Sequence, residues 1–114
     1  MSAIPASMRV IDVAAPGGPE VLRIAITPVP SPASGEVLIR TVAAGVNRAD
    51  LLQRQGHYPP PPGASPILGM EVSGHIAELG PGTSSHWRVG DAVCALLGGG
   101  GYAEFCDVPE GQCM

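Results

Sequence analysis

Short β-branched runs separated by Gly and Pro predict a mainly β protein, a small, partly open barrel with one short helix. Three observations carry this expectation. The 114 residues include 16 Gly and 13 Pro, and these fall between apolar runs rather than in one low-complexity tract. Such a share of Gly and Pro approaches the level of disordered chains, but 45% apolar content with only 14% charged residues leaves enough to bury. Around seven short strands with little helix then fit a partly open barrel. One domain with one modest core follows from the length, and folding it removes roughly two-thirds of the unfolded surface from water.

Residues 1–7, MSAIPAS, are expected to be a flexible N-terminus ahead of a domain over residues 8–114. Met8 to Val13 alternates apolar and polar residues, and Pro16-Gly17-Gly18-Pro19 turns the chain into a second run, Val21 to Thr27. These two runs predict a hairpin. Pro28, Pro30 and Pro32 make an extended connection to Ser34-Gly35, which delivers Glu36 into the strongest strand, Val37 to Ala43, expected at the centre of a sheet. Asn47 is placed to cap a helix of about two turns, with Asp50 at its third position and Gly56 as its stop.

Pro59 to Pro62 cannot join a ladder and Pro66 restricts Ser65, so this segment is a stiff loop. Met70 to Leu79 resumes period-two spacing, with Gly74 marking a bulge or a close backbone approach. Gly80-Pro81-Gly82 ends that strand, and Trp87 to Asp91 turns into Ala92 to Leu97. Four glycines, Gly98 to Gly101, connect it to a last strand over Tyr102 to Val108. No internal repeat is apparent.

A formal net charge of −4 and a pI near 5.1 give no basic field for a phosphate backbone, so nucleic acid is not expected as a partner. MSAIPAS lacks a charged and an apolar leader region, and no later run is long enough to span a bilayer. The reading is a soluble, cytoplasmic protein without a membrane partner. Cys94, Cys106 and Cys113 are odd in number and show no Cys-x-x-Cys pairing, so they read as reduced, small apolar residues.

Gly98-x-Gly100-x-x-Ala103 formally matches a dinucleotide-binding fingerprint. A true fingerprint opens a helix and is followed by an acid about twenty residues on. Here Tyr102, Phe105, Cys106 and Val108 suit a strand instead, so a turn is expected. For metal, His57, His75, His86, Glu71 and the cysteines show no ligand spacing of a recognised site. His75 is expected to face solvent and His86 to lie in a polar turn.

Taken together, NRADLLQRQGHYPPPPGASPILGMEVSGHIAELGPG, HWRVGDAV and GGGGYAEF resemble the zinc-independent quinone oxidoreductases of the medium-chain dehydrogenase/reductase superfamily, and among them the p53-inducible quinone oxidoreductase type. The resemblance runs from about Met8 to Gly111 and implies a GroES-like fold. Zinc-dependent members carry a Cys and a Gly-His-Glu triplet where this chain has Asn47 and Gly69-Met70-Glu71. Neither an amide nor a thioether is an ordinary zinc ligand. The four-Cys lobe that holds structural zinc in the superfamily is missing too, so no metal site is expected.

The resemblance further implies that a Rossmann domain and returning strands follow in the family. The chain is thus expected to be an N-terminal part truncated at Met114, its barrel incomplete and its isolated activity nil. NADPH would be held mainly by the missing domain, and the whole enzyme would be a homodimer. Asn47 and Tyr58 are the candidate catalytic and cofactor-binding residues. Asn47 can cap the helix and still offer amide donors, and a phenol, protonated at neutral pH, can donate to a quinone oxygen as charge develops there. Arg48 and Arg54 are weaker candidates for a cofactor phosphate, and Asp50 is most simply a helix-start carboxylate. The implied function is NADPH-dependent hydride transfer to quinones or similar electron-poor carbonyls without zinc. The alternative is a non-catalytic, truncated GroES-like module that binds a partner through exposed strands.

Overall fold

The computed structural model describes residues 4–114. Its elements are β1 (Ser7–Val13), β2 (Leu22–Pro28), β3 (Glu36–Ala44), α1 (Arg48–Arg54), β4 (Glu71–Leu79), β5 (Ala92–Leu96) and β6 (Phe105–Pro109), with 3-10 turns at Pro19–Val21 and Glu110–Gln112. Strands β1 and β2 form the expected hairpin, in unbroken register from Ser7 opposite Pro28 to Val13 opposite Leu22. The other four form an antiparallel sheet in the order β5-β4-β3-β6. Of the N-terminal segment expected to be flexible, residues 1–3 lie outside the described residues. Ile4 packs on the core, and the Ala6 carbonyl accepts the Val29 N–H at 3.1 Å.

The apolar run Val37-Leu38-Ile39 explains the central place of β3, since all three side chains are fully buried. Only a strand covered on both faces can hide successive residues, because neighbours point to opposite sides. Val37 and Ile39 pack with Val72, Ile76, Val93, Ala95, Cys106 and Val108 on one face. Leu38 joins Phe105 on the other, beneath Met8 and Val10 of the hairpin. The sheets do not close into a barrel. They meet at an isolated bridge between Val10 and Ala103, beside the Ile11 N–H to Tyr102 carbonyl bond of 2.9 Å. Six strands form among the described residues, and the expected last strand is shortened because Ala103 joins by that bridge rather than by a ladder.

Gly74 fulfils both of its expected roles. It lies opposite Thr41, and the register then skips Val42, leaving a bulge on β3. A side chain at Gly74 would run into the Arg40 carbonyl and the Ile39 side chain. The glycines at 98–101 form a loop and open no helix, as expected. Gly100, Gly101 and Tyr102 donate backbone N–H groups to the carbonyls of Ile67, Gly69 and Leu68 at 2.8, 3.1 and 2.9 Å. The lack of side chains at Gly99 and Gly101 lets two backbones touch. No helix among the described residues is long and apolar enough to cross a membrane.

Candidate functional site

Helix α1 fixes the first candidate, because both of its ends are built from backbone bonds that its sequence dictates. Asn47 is extended (φ −122°, ψ 157°) and half-buried. Its N–H donates to Asp50 Oδ2 at 3.0 Å, while its carbonyl accepts the Asp50 N–H at 3.0 Å. The Asn47 side chain faces the Asp50 N–H in return, the reciprocal arrangement of a capping box. The cap engages the amide oxygen and leaves the amide NH2 as a donor.

At the other end Gly56 takes φ +88°, with its N–H on the Gln53 carbonyl at 3.0 Å and the His57 N–H on the Leu52 carbonyl at 2.8 Å. This is a Schellman ending, which favours glycine because its left-handed residue has no Cβ to clash. Tyr58 follows at once, 37% exposed, at the start of the proline-rich loop. The Gln53 side-chain amide donates to the Pro66 carbonyl at 3.1 Å and so ties that loop back to the helix. Asn47 and Tyr58 thus stand at opposite ends of one short helix. Neither lines the crevices of about 430 and 410 Å³.

The weaker candidates separate. Arg54 donates Nε to the Gly17 carbonyl at 3.0 Å and its own carbonyl accepts the Gly17 N–H at 3.0 Å, so it clasps α1 to the hairpin turn. Arg48 is exposed. His57, His75, Glu71 and Cys94 are exposed as well, and His86 stacks edge-on to Trp87 at 4.6 Å. All three cysteines are free, as expected of reduced residues, but Cys94 sits on the outward face of β5, whereas Cys106 and Cys113 are buried. Among the described residues no three His, Cys, Asp or Glu side chains gather as a metal-holding group.

The structure adds a group that sequence reasoning missed. Tyr102 Oη donates to Asp50 Oδ2 at 2.7 Å. Asp50 is 2% exposed, and its Oδ1 is buried without a hydrogen-bond partner. Burial, followed by the hydrogen bond to Asp50 and its charge, raises the Tyr102 pKa well above the ordinary phenol value. The phenol remains a donor throughout the physiological range. Tyr102 also lines the 430 Å³ crevice with Val10, Ile11, Thr41, Val42 and Ala103. The exposed Arg9–Glu104 pair at 3.3 Å stands at its side and lowers the Glu104 pKa.

Residues 33–114 match the family model described as the alcohol dehydrogenase GroES-like domain. The chain is 42% identical over 100 residues to a quinone oxidoreductase of Rattus norvegicus, covering 86% of this chain and 30% of that protein. The crystal structure of the human synaptic vesicle membrane protein VAT-1 homolog-like protein superposes with a TM-score of 0.86 at 33% identity, over 95% of this chain and 35% of that one. A mycobacterial protein solved in complex with NADPH superposes with a TM-score of 0.78 at 41% identity, over 93% of this chain and 31% of that one. The chain spans about a third of the length of these relatives.

Proposed function

Because the chain belongs to the alcohol dehydrogenase GroES-like domain family, we propose that it forms the acceptor-binding wall of an NADPH-dependent quinone oxidoreductase. The proposed reaction is hydride transfer to a quinone or similar electron-poor carbonyl, without zinc, in a cytoplasmic homodimer. One observation of the structure carries the reading. Asn47 is held half-buried at the start of α1 by a capping box with Asp50, which turns its amide oxygen to the helix and leaves its amide NH2 to donate. The likeness to a quinone oxidoreductase and to a protein solved with NADPH supports it from outside the chain.

The residues present fit a nicotinamide cofactor and acceptor better than a metal. The Asn47 amide and the Tyr58 phenol are donors suited to hydroxyl or carbonyl oxygens. An amide at Asn47 and a thioether at Met70 do not suit zinc. Bound NADPH would supply the hydride. Asn47 would orient the acceptor by donating to its oxygen, and Tyr58, at the other end of the helix, would donate to a second oxygen of the acceptor or to a cofactor hydroxyl. A quinone ring spreads the developing charge, so two neutral donors are chemically sufficient.

The test is NADPH-dependent reduction of a 1,2-quinone by the protein expressed from its complete reading frame, alongside Asn47→Ala and Tyr58→Phe. Each substitution is expected to lower kcat/KM roughly ten- to hundredfold. Undiminished turnover in both variants ends the site assignment. A second reading, a non-catalytic binding module, is favoured by the outward apolar face of β2, where Ile24 and Ile26 are 67% and 66% exposed. Absence of reductase activity in the complete protein would select it.

A further inference from the structure

We propose that Tyr102 is a positioning residue for Asn47, acting through Asp50 as a strut between the glycine-rich loop and the start of α1. The proposal rests on the reading of Asn47 as a site residue. Asp50 Oδ2 receives both the Asn47 N–H at 3.0 Å and the Tyr102 hydroxyl at 2.7 Å, and Oδ1 receives nothing. A capping carboxylate at a solvated helix start needs no phenol, because water meets its second oxygen. This one is 2% exposed, so the tyrosine supplies to Oδ2 a donor that water cannot bring, and Oδ1 stays unmet. With one oxygen unmet, the direction of the carboxylate is set by these two donors alone.

Tyr102 is itself immobilised at both of its backbone groups. Its N–H donates to the Leu68 carbonyl at 2.9 Å, and its carbonyl accepts the Ile11 N–H at 2.9 Å. Strand β1, the segment before β4 and helix α1 therefore meet at one residue, and its side-chain link into the helix start runs through Oη to Asp50. Removing the hydroxyl leaves the carboxylate free to turn toward solvent entering from the 430 Å³ crevice that Tyr102 lines. The Asn47 N–H then loses its fixed acceptor and the amide side chain its fixed origin.

The test uses the complete protein and Tyr102→Phe, which keeps the ring and deletes the bond. Residue-resolved amide exchange is expected to speed up about tenfold at the Asn47 N–H and to stay unchanged at Ile76, inside β4. Quinone turnover is expected to fall about tenfold in kcat with the KM for NADPH unchanged, and to fall no further when Tyr102→Phe is added to Asn47→Ala. Unaltered exchange at Asn47 overturns the strut whatever the protein catalyses. An impaired Asn47→Ala beside an unimpaired Tyr102→Phe overturns it while leaving the functional reading standing. Full activity of Asn47→Ala instead removes Asn47 from the site, and with it the reason for any positioning.

Discussion

Gly74 is the position where one missing side chain decides local geometry. A Cβ there meets the Arg40 carbonyl, a backbone atom that cannot step aside without breaking the β3–β4 ladder. Gly74→Ala is therefore expected to destabilise the fold by roughly 1–3 kcal/mol, read as a lower denaturant midpoint at constant slope. An unshifted midpoint would show that the bulge at Val42 absorbs the methyl group. The close approach was legible from a lone glycine within a period-two run. Which atom approaches was not, because the strand partner lies some thirty residues away in sequence.

At the scale of the element, alternation along β5 and β6 sorts the cysteines. Val93 and Ala95 point inward and Cys94 between them points out, whereas Cys106 opposes Ile39 across the β3–β6 pair and is buried. Burial pushes the Cys106 thiol up to about 11, partly offset by its contact with Thr41 at 3.9 Å, and burial raises Cys113 too. Since the thiolate is the reactive form, a disulfide reagent at neutral pH should titrate one thiol quickly, that of Cys94, and the other two only on unfolding. Rapid reaction of all three, or persistence of the fast phase in Cys94→Ser, would contradict this placement.

Period-two spacing was readable along β4, and the strong run Val37 to Ala43 correctly marked a strand inside the sheet. Asn47, Asp50 and Gly56 marked the limits of α1 because caps are local chemistry. The Tyr102–Asp50 bond was illegible for the opposite reason: no periodicity links a glycine-rich loop to a helix start so distant in the chain. Arg54 was misleading by itself, since a helix-face arginine shows its partner, the Gly17 carbonyl, only once the hairpin turn is folded against it.

Across the whole molecule, stability at acid pH depends on pairs that only the assembled sheet creates. Asp107 on β6 lies beside Glu36 at the start of β3. Burial, the hydrogen bond to Glu36 and its like charge raise the Asp107 pKa. A carboxyl with a raised folded pKa contributes stability that is full below its unfolded pKa and is lost as pH rises through the folded one. Glu104, lowered by Arg9, acts in the opposite sense and loses its contribution as pH falls. The wild-type thermal midpoint relative to Asp107→Asn should therefore decline from about pH 3.5 to 7. A difference independent of pH would remove Asp107 as the cause.

The amino-acid sequence alone determined the mainly β class, the hairpin, the central strand, the capped helix and the likeness to quinone oxidoreductases. All of these rest on local rules: alternation, turn residues, caps and short motifs. Tertiary structure alone decided that the sheets meet through the Val10–Ala103 bridge without closing, that Cys94 faces outward, and that Asp50 is buried beneath Tyr102. Those outcomes depend on which distant segments touch. A chain records its torsional and burial preferences residue by residue, but the partners of a buried polar atom are chosen only when the surrounding layers close over it.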